Sequence, residues 1–197
     1  MKTTINNSLS KSISYIQYRE LVANLLAEGK STSVEDSDAL VDYSKLNNSR
    51  MKRLDKTVKI PADAIKKIKT LTKPVNWIVI TEGWCGDAAQ NLPVVNKLAE
   101  LNDNINLRIV LRDENPELMQ LFLTNGGMSI PKLIQTNENL DVLSDWGPRP
   151  SVAADMVIAY REKHGEITAE FKKDLQIWYN KDKGESTVTD MLDFLEL

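Results

Sequence analysis

The chain has 197 residues, of which 42% are hydrophobic and 27% charged, an ordinary composition for a globular protein. Its formal net charge of −3 gives no electrostatic reason to expect nucleic-acid binding. A single cysteine and a single histidine exclude an intramolecular disulfide and a metal site built from several thiolates or imidazoles. No apolar segment approaches the ~20 residues of a membrane helix, and the first residues do not resemble a secretory signal. We therefore expect a cytoplasmic protein without membrane contact.

Residues 1–73 are predicted to form a mostly helical N-terminal extension. Residues 1–12 are polar, and we expect them to be a loose terminus. The apolar residues that follow recur at helical spacing, and Gly29 ends that helix. A second helical face is then marked by Leu40, Tyr43 and Leu46. Pro61 suits the first position of a further helix.

Residues 74–163 are predicted to form an α/β core. Two short β-branched runs, VNWIVIT at 75–81 and INLRIVL at 105–111, indicate buried strands. The residues between them, 86–101, have helical periodicity. A strand–helix–strand unit implies parallel pairing with a right-handed crossover.

The second half of the core is predicted to add antiparallel strands. Asn115 is placed to begin a helix that has Pro116 in its first turn. Two short runs, 132–134 and 140–143, indicate a β-hairpin around the turn TNEN. The expected architecture is a mixed sheet covered by helices. Residues 164–197 are predicted to form a helical C-terminal extension.

The residues with the clearest chemical meaning lie where the first strand meets its helix, in the run Thr81-Glu82-Gly83-Trp84-Cys85-Gly86-Asp87-Ala88. A thiol at this place faces the free N–H groups and the positive end of a helix dipole. Both favour the thiolate, which is the reactive form. On this basis we expect Cys85 to be partly exposed and faster to alkylate than an unperturbed thiol. The alternative is that Cys85 is a small buried apolar residue.

Several motifs in chain order resemble the thioredoxin superfamily, in particular thioredoxin-like proteins with a WCGD motif. They are Trp84-Cys85-Gly86-Asp87, Pro93 eight residues after the cysteine, Asp113-Glu114-Asn115-Pro116, Ser129-Ile130-Pro131 and Gly147. The resemblance covers roughly residues 74–163. It implies a thioredoxin-like mixed sheet flanked by helices, with a cis Ile130–Pro131 bond beside the cysteine.

The sequence also departs from the thioredoxin pattern. The second cysteine of the family's motif is replaced by Ala88, and the family's buried aspartate is replaced by Val79. The only acids on the motif are Glu82 and Asp87, and we expect both to face solvent. Cys85 thus has no resolving thiol within the chain.

The resemblance implies a monothiol oxidoreductase in which Cys85 is the catalytic residue and forms a mixed disulfide with a thiol or disulfide protein substrate. Trp84, Gly86 and Asp87 would bind that substrate. Ile130 and Pro131 would orient it, with Ile130 pairing with an extended substrate strand. An external thiol would then resolve the mixed disulfide. Glutathione is one such thiol, although Glu82 stands where the glutaredoxin branch usually carries a basic residue.

Two other functions remain open from the sequence. The fold could be a redox-inactive module that binds proteins or peptides, or a peroxidase that forms a sulfenic acid, although the threonine and arginine typical of peroxidatic sites are not evident. No cofactor or metal is predicted. The loop WGPRP at 146–150 could lie on the same side of the sheet as the cysteine.

Overall fold

The computed structural model describes residues 1–35 and 37–197, and its centre is a four-stranded sheet. The strands are β1 (Val75–Thr81), β2 (Ile105–Leu111), β3 (Lys132–Thr136) and β4 (Val142–Trp146), in the order β2-β1-β3-β4. β1 is parallel to β2, and the pairs β1–β3 and β3–β4 are antiparallel. The predicted mixed sheet is confirmed, and the most apolar strand, β1, lies in its interior.

Helices come before, between and after these strands in the chain. In the part of the chain that is described they are α1 (Lys2–Ser10), α2 (Tyr15–Ala27), α3 (Asp38–Thr57), α4 (Ala62–Lys69), α5 (Gly86–Ala99), α6 (Pro116–Leu121), α7 (Ser151–His164), α8 (Ala169–Asp182) and α9 (Glu185–Phe194). None of these helices is both long and apolar enough to cross a membrane.

The N-terminal residues are helical, so the prediction of a loose terminus is wrong. Ile5 of α1 is completely buried in the main core. After α1 in the chain, Ile13 forms two backbone hydrogen bonds with Ile109 of β2, with lengths of 2.9 and 2.8 Å. The Arg108 side chain donates to both the hydroxyl and the carbonyl of Ser12. These tertiary contacts stabilise a polar segment whose local sequence gives no sign of a helix.

The inner face of α3 differs from the predicted one. Tyr43 and Leu46 are exposed, whereas the buried residues are Val41, Ser44, Asn47, Met51 and Leu54. Two polar residues therefore occupy the buried face, because α3 packs beside the strand–helix junction of β1 and α5. The Asn47 amide there donates to the Gly83 carbonyl at 3.1 Å.

The last strand begins two residues later than predicted. The segment 140–143 contributes only its second half to β4, because the Asn137 side chain accepts backbone N–H bonds from Asn139 and Asp141 and extends the turn. A register shift between Gln135 and Thr136 accommodates the extra length.

The hydrophobic residues form one large and one small cluster. The large cluster joins the sheet, α1 to α6 and α9. The small cluster consists of Ala153 of α7 with Leu175 and Tyr179 of α8, and Val157 and Trp178 pack against it. The α7–α8 hairpin (Ser151–Asp182) thus has apolar packing of its own beside the main core.

Candidate functional site

The sulfur of Cys85 lies at the N-terminus of α5, as the motif predicts. Cys85 is the N-cap of this helix, and its Sγ accepts a hydrogen bond from the Ala88 N–H at 3.4 Å. The thiol donates to the carbonyl oxygen of Ile130 at 3.2 Å. Cys85, Ile130 and Pro131 are thereby brought together from two segments that are 45 residues apart in the chain.

The expected exposure and low pKa of Cys85 are contradicted. Only 7% of Cys85 is accessible to solvent. Burial, and after it the negative charge of Asp87, raises the pKa of the thiol to about 12. The N–H groups of Ala88 and Asp87 and the positive charge of Arg149 lower this pKa, but by less. The N–H groups at the helix terminus therefore lower the pKa of Cys85 as expected, but desolvation raises this pKa by more.

The carboxylate of Asp87 does not face solvent either. It is 12% exposed, and its Oδ2 pairs with Arg149 Nη2 at 2.7 Å. Its Oδ1 accepts the Tyr179 hydroxyl at 3.0 Å. Burial raises the pKa of Asp87, while Arg149 and Tyr179 lower it. The WGPRP loop and the C-terminal extension, through Arg149 and Tyr179, both contact the motif.

Glu82 is also buried, contrary to the prediction that it faces solvent. Its exposure is 0%, and its carboxylate accepts the Thr32 hydroxyl and the Asp113 N–H, the latter at 3.0 Å. Desolvation raises the pKa of Glu82 to about 7, although both hydrogen bonds lower it. Thr32 accepts in turn from the Gly83 N–H at 2.9 Å. The carboxyl thus ties the loop before α3 to the strand–helix junction.

Two further helices lie over the Cys85–Gly86 segment, and the sequence predicts both as helices without marking any of their residues as part of the site. A Cβ built on Gly86 would lie 3.6 Å from Gln176 Nε2 of α8 and 3.7 Å from Arg50 Nη1 of α3. Arg50 donates to the Asn47 carboxamide at 3.0 Å. Asn47 and Arg50 lie in α3 and Gln176 lies in α8, both outside residues 74–163, which the motif resemblance covers.

The segment around Pro131 is packed closely against the WGPRP loop. The Ile130–Pro131 and Gly147–Pro148 peptide bonds are both cis. A Cβ on Gly147 would lie 2.2 Å from the Pro131 carbonyl oxygen, and the φ of Gly147 is +114°. Only glycine allows this approach, so Gly147 fixes the distance between the loop and the residues beside Cys85.

Trp84 forms the side of the site toward β2. Its ring lies under the Arg112 guanidinium, 4.7 Å from the ring centroid. Arg112 is itself held by Asp113, with an Nη2–Oδ1 distance of 2.8 Å. The indole N–H is buried and has no hydrogen-bond partner among the residues that the structure describes. Within residues 1–35 and 37–197, no group of three or more histidine, cysteine, aspartate or glutamate side chains could hold a metal ion.

Comparisons with known proteins agree with this fold. A family model described as Thioredoxin matches residues 33–164, and the chain therefore belongs to the thioredoxin family. A curated relative, the putative thioredoxin 2 of Streptomyces coelicolor, is 36% identical over 80 residues. That match covers 41% of this chain and 58% of the relative.

Two solved structures share the fold at low sequence identity. A protein of unknown function from Pseudomonas aeruginosa has a TM-score of 0.62 and is 17% identical, over 88% of this chain and 96% of its own. An HIV epitope-scaffold has a TM-score of 0.59, with the same identity and coverage. The predicted thioredoxin-like fold is confirmed, and the likeness extends into both predicted extensions.

Proposed function

We propose that this protein is a monothiol member of the thioredoxin family that exchanges disulfides through Cys85. The observation that carries the proposal is the position of Sγ, which caps α5 and lies 3.2 Å from the Ile130 carbonyl. An incoming disulfide that reaches the sulfur along Ile130 and Pro131 would meet it in line with the free N–H groups of the helix. Trp84, Gly86 and Asp87 would contact the substrate beside the sulfur.

The exchange proceeds in two steps. The Cys85 thiol gives its proton to solvent, and the thiolate attacks one sulfur of a substrate disulfide, whose other sulfur leaves as a thiolate. Because position 88 is alanine, the chain offers no second thiol. An external thiolate therefore attacks the substrate sulfur of the mixed disulfide, forms a new disulfide and releases Cys85. Since burial is the main cause of the high pKa of Cys85, exposing the sulfur is expected to precede the first step.

The experiment restores the missing thiol. Ala88→Cys places a second sulfur one helical turn from Cys85, at a buried position where alanine and cysteine differ little in size. We expect it to reduce a protein disulfide with a small dithiol as electron donor, faster than wild type. Ala89→Cys is the matched control, since it adds a thiol at the neighbouring buried position. Cys85→Ser in the Ala88→Cys background should abolish the gain.

A second candidate, a redox-inactive binding module, is favoured by the burial of Cys85 and by the charge of Asp87 beside it. It predicts that Ala88→Cys forms an internal disulfide and yet reduces no protein substrate. It also predicts that wild type, incubated with a small disulfide under native conditions, gains no mass from a mixed disulfide. Uptake of one thiol at Cys85 in the intact mass supports the exchange function instead.

A further inference from the structure

Helix α8 contacts the first turns of α5 through polar side chains. The Gln90 amide of α5 donates to Gln176 at 2.9 Å, and the Tyr179 hydroxyl lies 3.3 Å from the Asn91 amide besides donating to Asp87. All three partners on α5 lie in its first two turns. Helix α8 therefore covers the end of the helix that Cys85 caps.

Helices α3 and α8 meet above that end. Arg50 of α3 and Gln176 of α8 both lie close to Gly86. About one turn further along each helix, Arg53 Nη2 of α3 donates to Asn180 of α8 at 2.7 Å. Only 7% of Cys85 is exposed, so part of the cover at this end of α5 has to move before a protein disulfide can reach the sulfur along Ile130 and Pro131.

The packing identifies which helix can move. α3 places Met51 and Leu54 in the main core, and α9 places Val188 and Met191 there. α8 has no residue in that cluster: Leu175 and Tyr179 pack with α7, and the Phe171 ring stacks on Tyr160 at 4.0 Å. Lifting α8 off α5 with its partner α7 therefore breaks hydrogen bonds that water can replace and leaves the main core intact.

We propose that the α7–α8 hairpin is a lid over the Cys85 thiol, latched by Gln176, Tyr179 and Asn180 to α5 and α3. Its ends suit this role. The start of α7 is bound to α9, where Ser151 N–H and hydroxyl both donate to Asp190 at 2.8 Å. Gly184, after α8, packs against Val94 of α5. The hairpin is fixed at its base, and its far turn at Gly165 has open space around it. The role of this lid depends on the proposed disulfide exchange at Cys85.

The test measures access to the sulfur rather than turnover. Gln176→Ala/Asn180→Ala removes two latch contacts without touching Asp87, so the charge beside the thiol is unchanged. We expect Cys85 in this variant to react at least about fivefold faster with a bulky maleimide, given the loss of two hydrogen bonds, with a smaller change for iodoacetamide. Tyr160→Phe is the control, because the bond from its hydroxyl to Thr168 lies inside the hairpin.

Hydrogen exchange on wild type gives an independent readout. If α7 and α8 form a lid, the backbone amides of α8 should exchange faster than those of α5. Their exchange rates should change little at low urea concentrations, because opening the lid is a local event that leaves the main core folded. Equal maleimide rates in wild type and the double variant, equal acceleration by Tyr160→Phe, or joint exchange of α8 and α5 would each overturn the lid. A lid that opens as expected in a protein that exchanges no disulfide would reject the proposed function alone.

Discussion

At the scale of single residues, the site is dominated by the cost of burying charge. Cys85, Glu82 and Asp87 lie within six positions of the chain, and burial raises the pKa of all three. Each group also receives hydrogen bonds that favour its ionised form, so the pKa values are set by a competition. That competition can be measured one residue at a time.

The first prediction concerns the thiol. We expect wild-type Cys85 to react slowly with iodoacetamide, with a midpoint far above the ordinary value of about 8.5, because burial disfavours the thiolate. Asp87→Asn removes the second cause of the high pKa. Its amide oxygen can still accept from Arg149, and its NH2 group can donate to the Tyr179 hydroxyl oxygen. The rate at pH 8 should rise severalfold, up to about tenfold for each pKa unit lost. The exposed Asp193→Asn should change nothing, and an unchanged midpoint in Asp87→Asn would contradict the assignment.

The second prediction concerns Glu82. Its pKa of about 7 in the folded protein lies above the ordinary 4.5, so the folded state holds a proton that the unfolded state has lost. The free energy of unfolding therefore falls as pH rises from about 4.5 to about 7, by at most about 3 kcal/mol. Glu82→Gln should flatten this fall.

Urea unfolding at pH 5 and pH 7.5 checks the prediction for Glu82. The exposed Glu100→Gln serves as the control and should leave the pH dependence as in wild type. If Glu82→Gln loses as much stability between the two pH values as wild type does, then Glu82 is not the group that titrates.

At the scale of elements, the third prediction concerns the contact between the WGPRP loop and the segment before β3. In Gly147→Ala, the new Cβ would lie 2.2 Å from the Pro131 carbonyl, on a residue with φ of +114°. Backbone must shift, and we expect a loss of about 3 kcal/mol or more in the free energy of unfolding.

Gly29→Ala is the matched variant for this prediction. Gly29 also has a positive φ, +74°, but its Cβ would meet nothing within 4 Å. It should cost only about 1–2 kcal/mol, the penalty of the backbone conformation alone. Equal losses in the two variants, measured by urea denaturation, would show that the contact with Pro131 is unimportant.

At the scale of the whole molecule, the N-terminal extension is part of the main core. Ile5 is 0% exposed, so Ile5→Ala should lower the free energy of unfolding by about 2–4 kcal/mol. Ile16→Ala makes the same chemical change at a residue that is 65% exposed, and should have little effect. A loose terminus would make both substitutions neutral.

Strands β1 and β2 could be predicted to their terminal residues, because each is a short run rich in β-branched residues, with β1 buried on both faces along nearly all its length and β2 in its last three residues. The mixed order of the sheet followed from the helix between them and the hairpin after them. The position of Cys85 at a helix N-terminus followed from the same local pattern. These features depend on residues near one another in the chain.

The tertiary structure alone decided the environment of the thiol. The residues that pack on Gly86 and Asp87, next to Cys85, come from α3, α8 and the loop at 146–150, far from the motif in sequence. The helix dipole that favours a thiolate is a local property, whereas desolvation depends on every element that excludes water from the sulfur. For that reason the sequence by itself determined the family, the fold and the place of Cys85, and only the folded chain determined that its sulfur is covered and protonated.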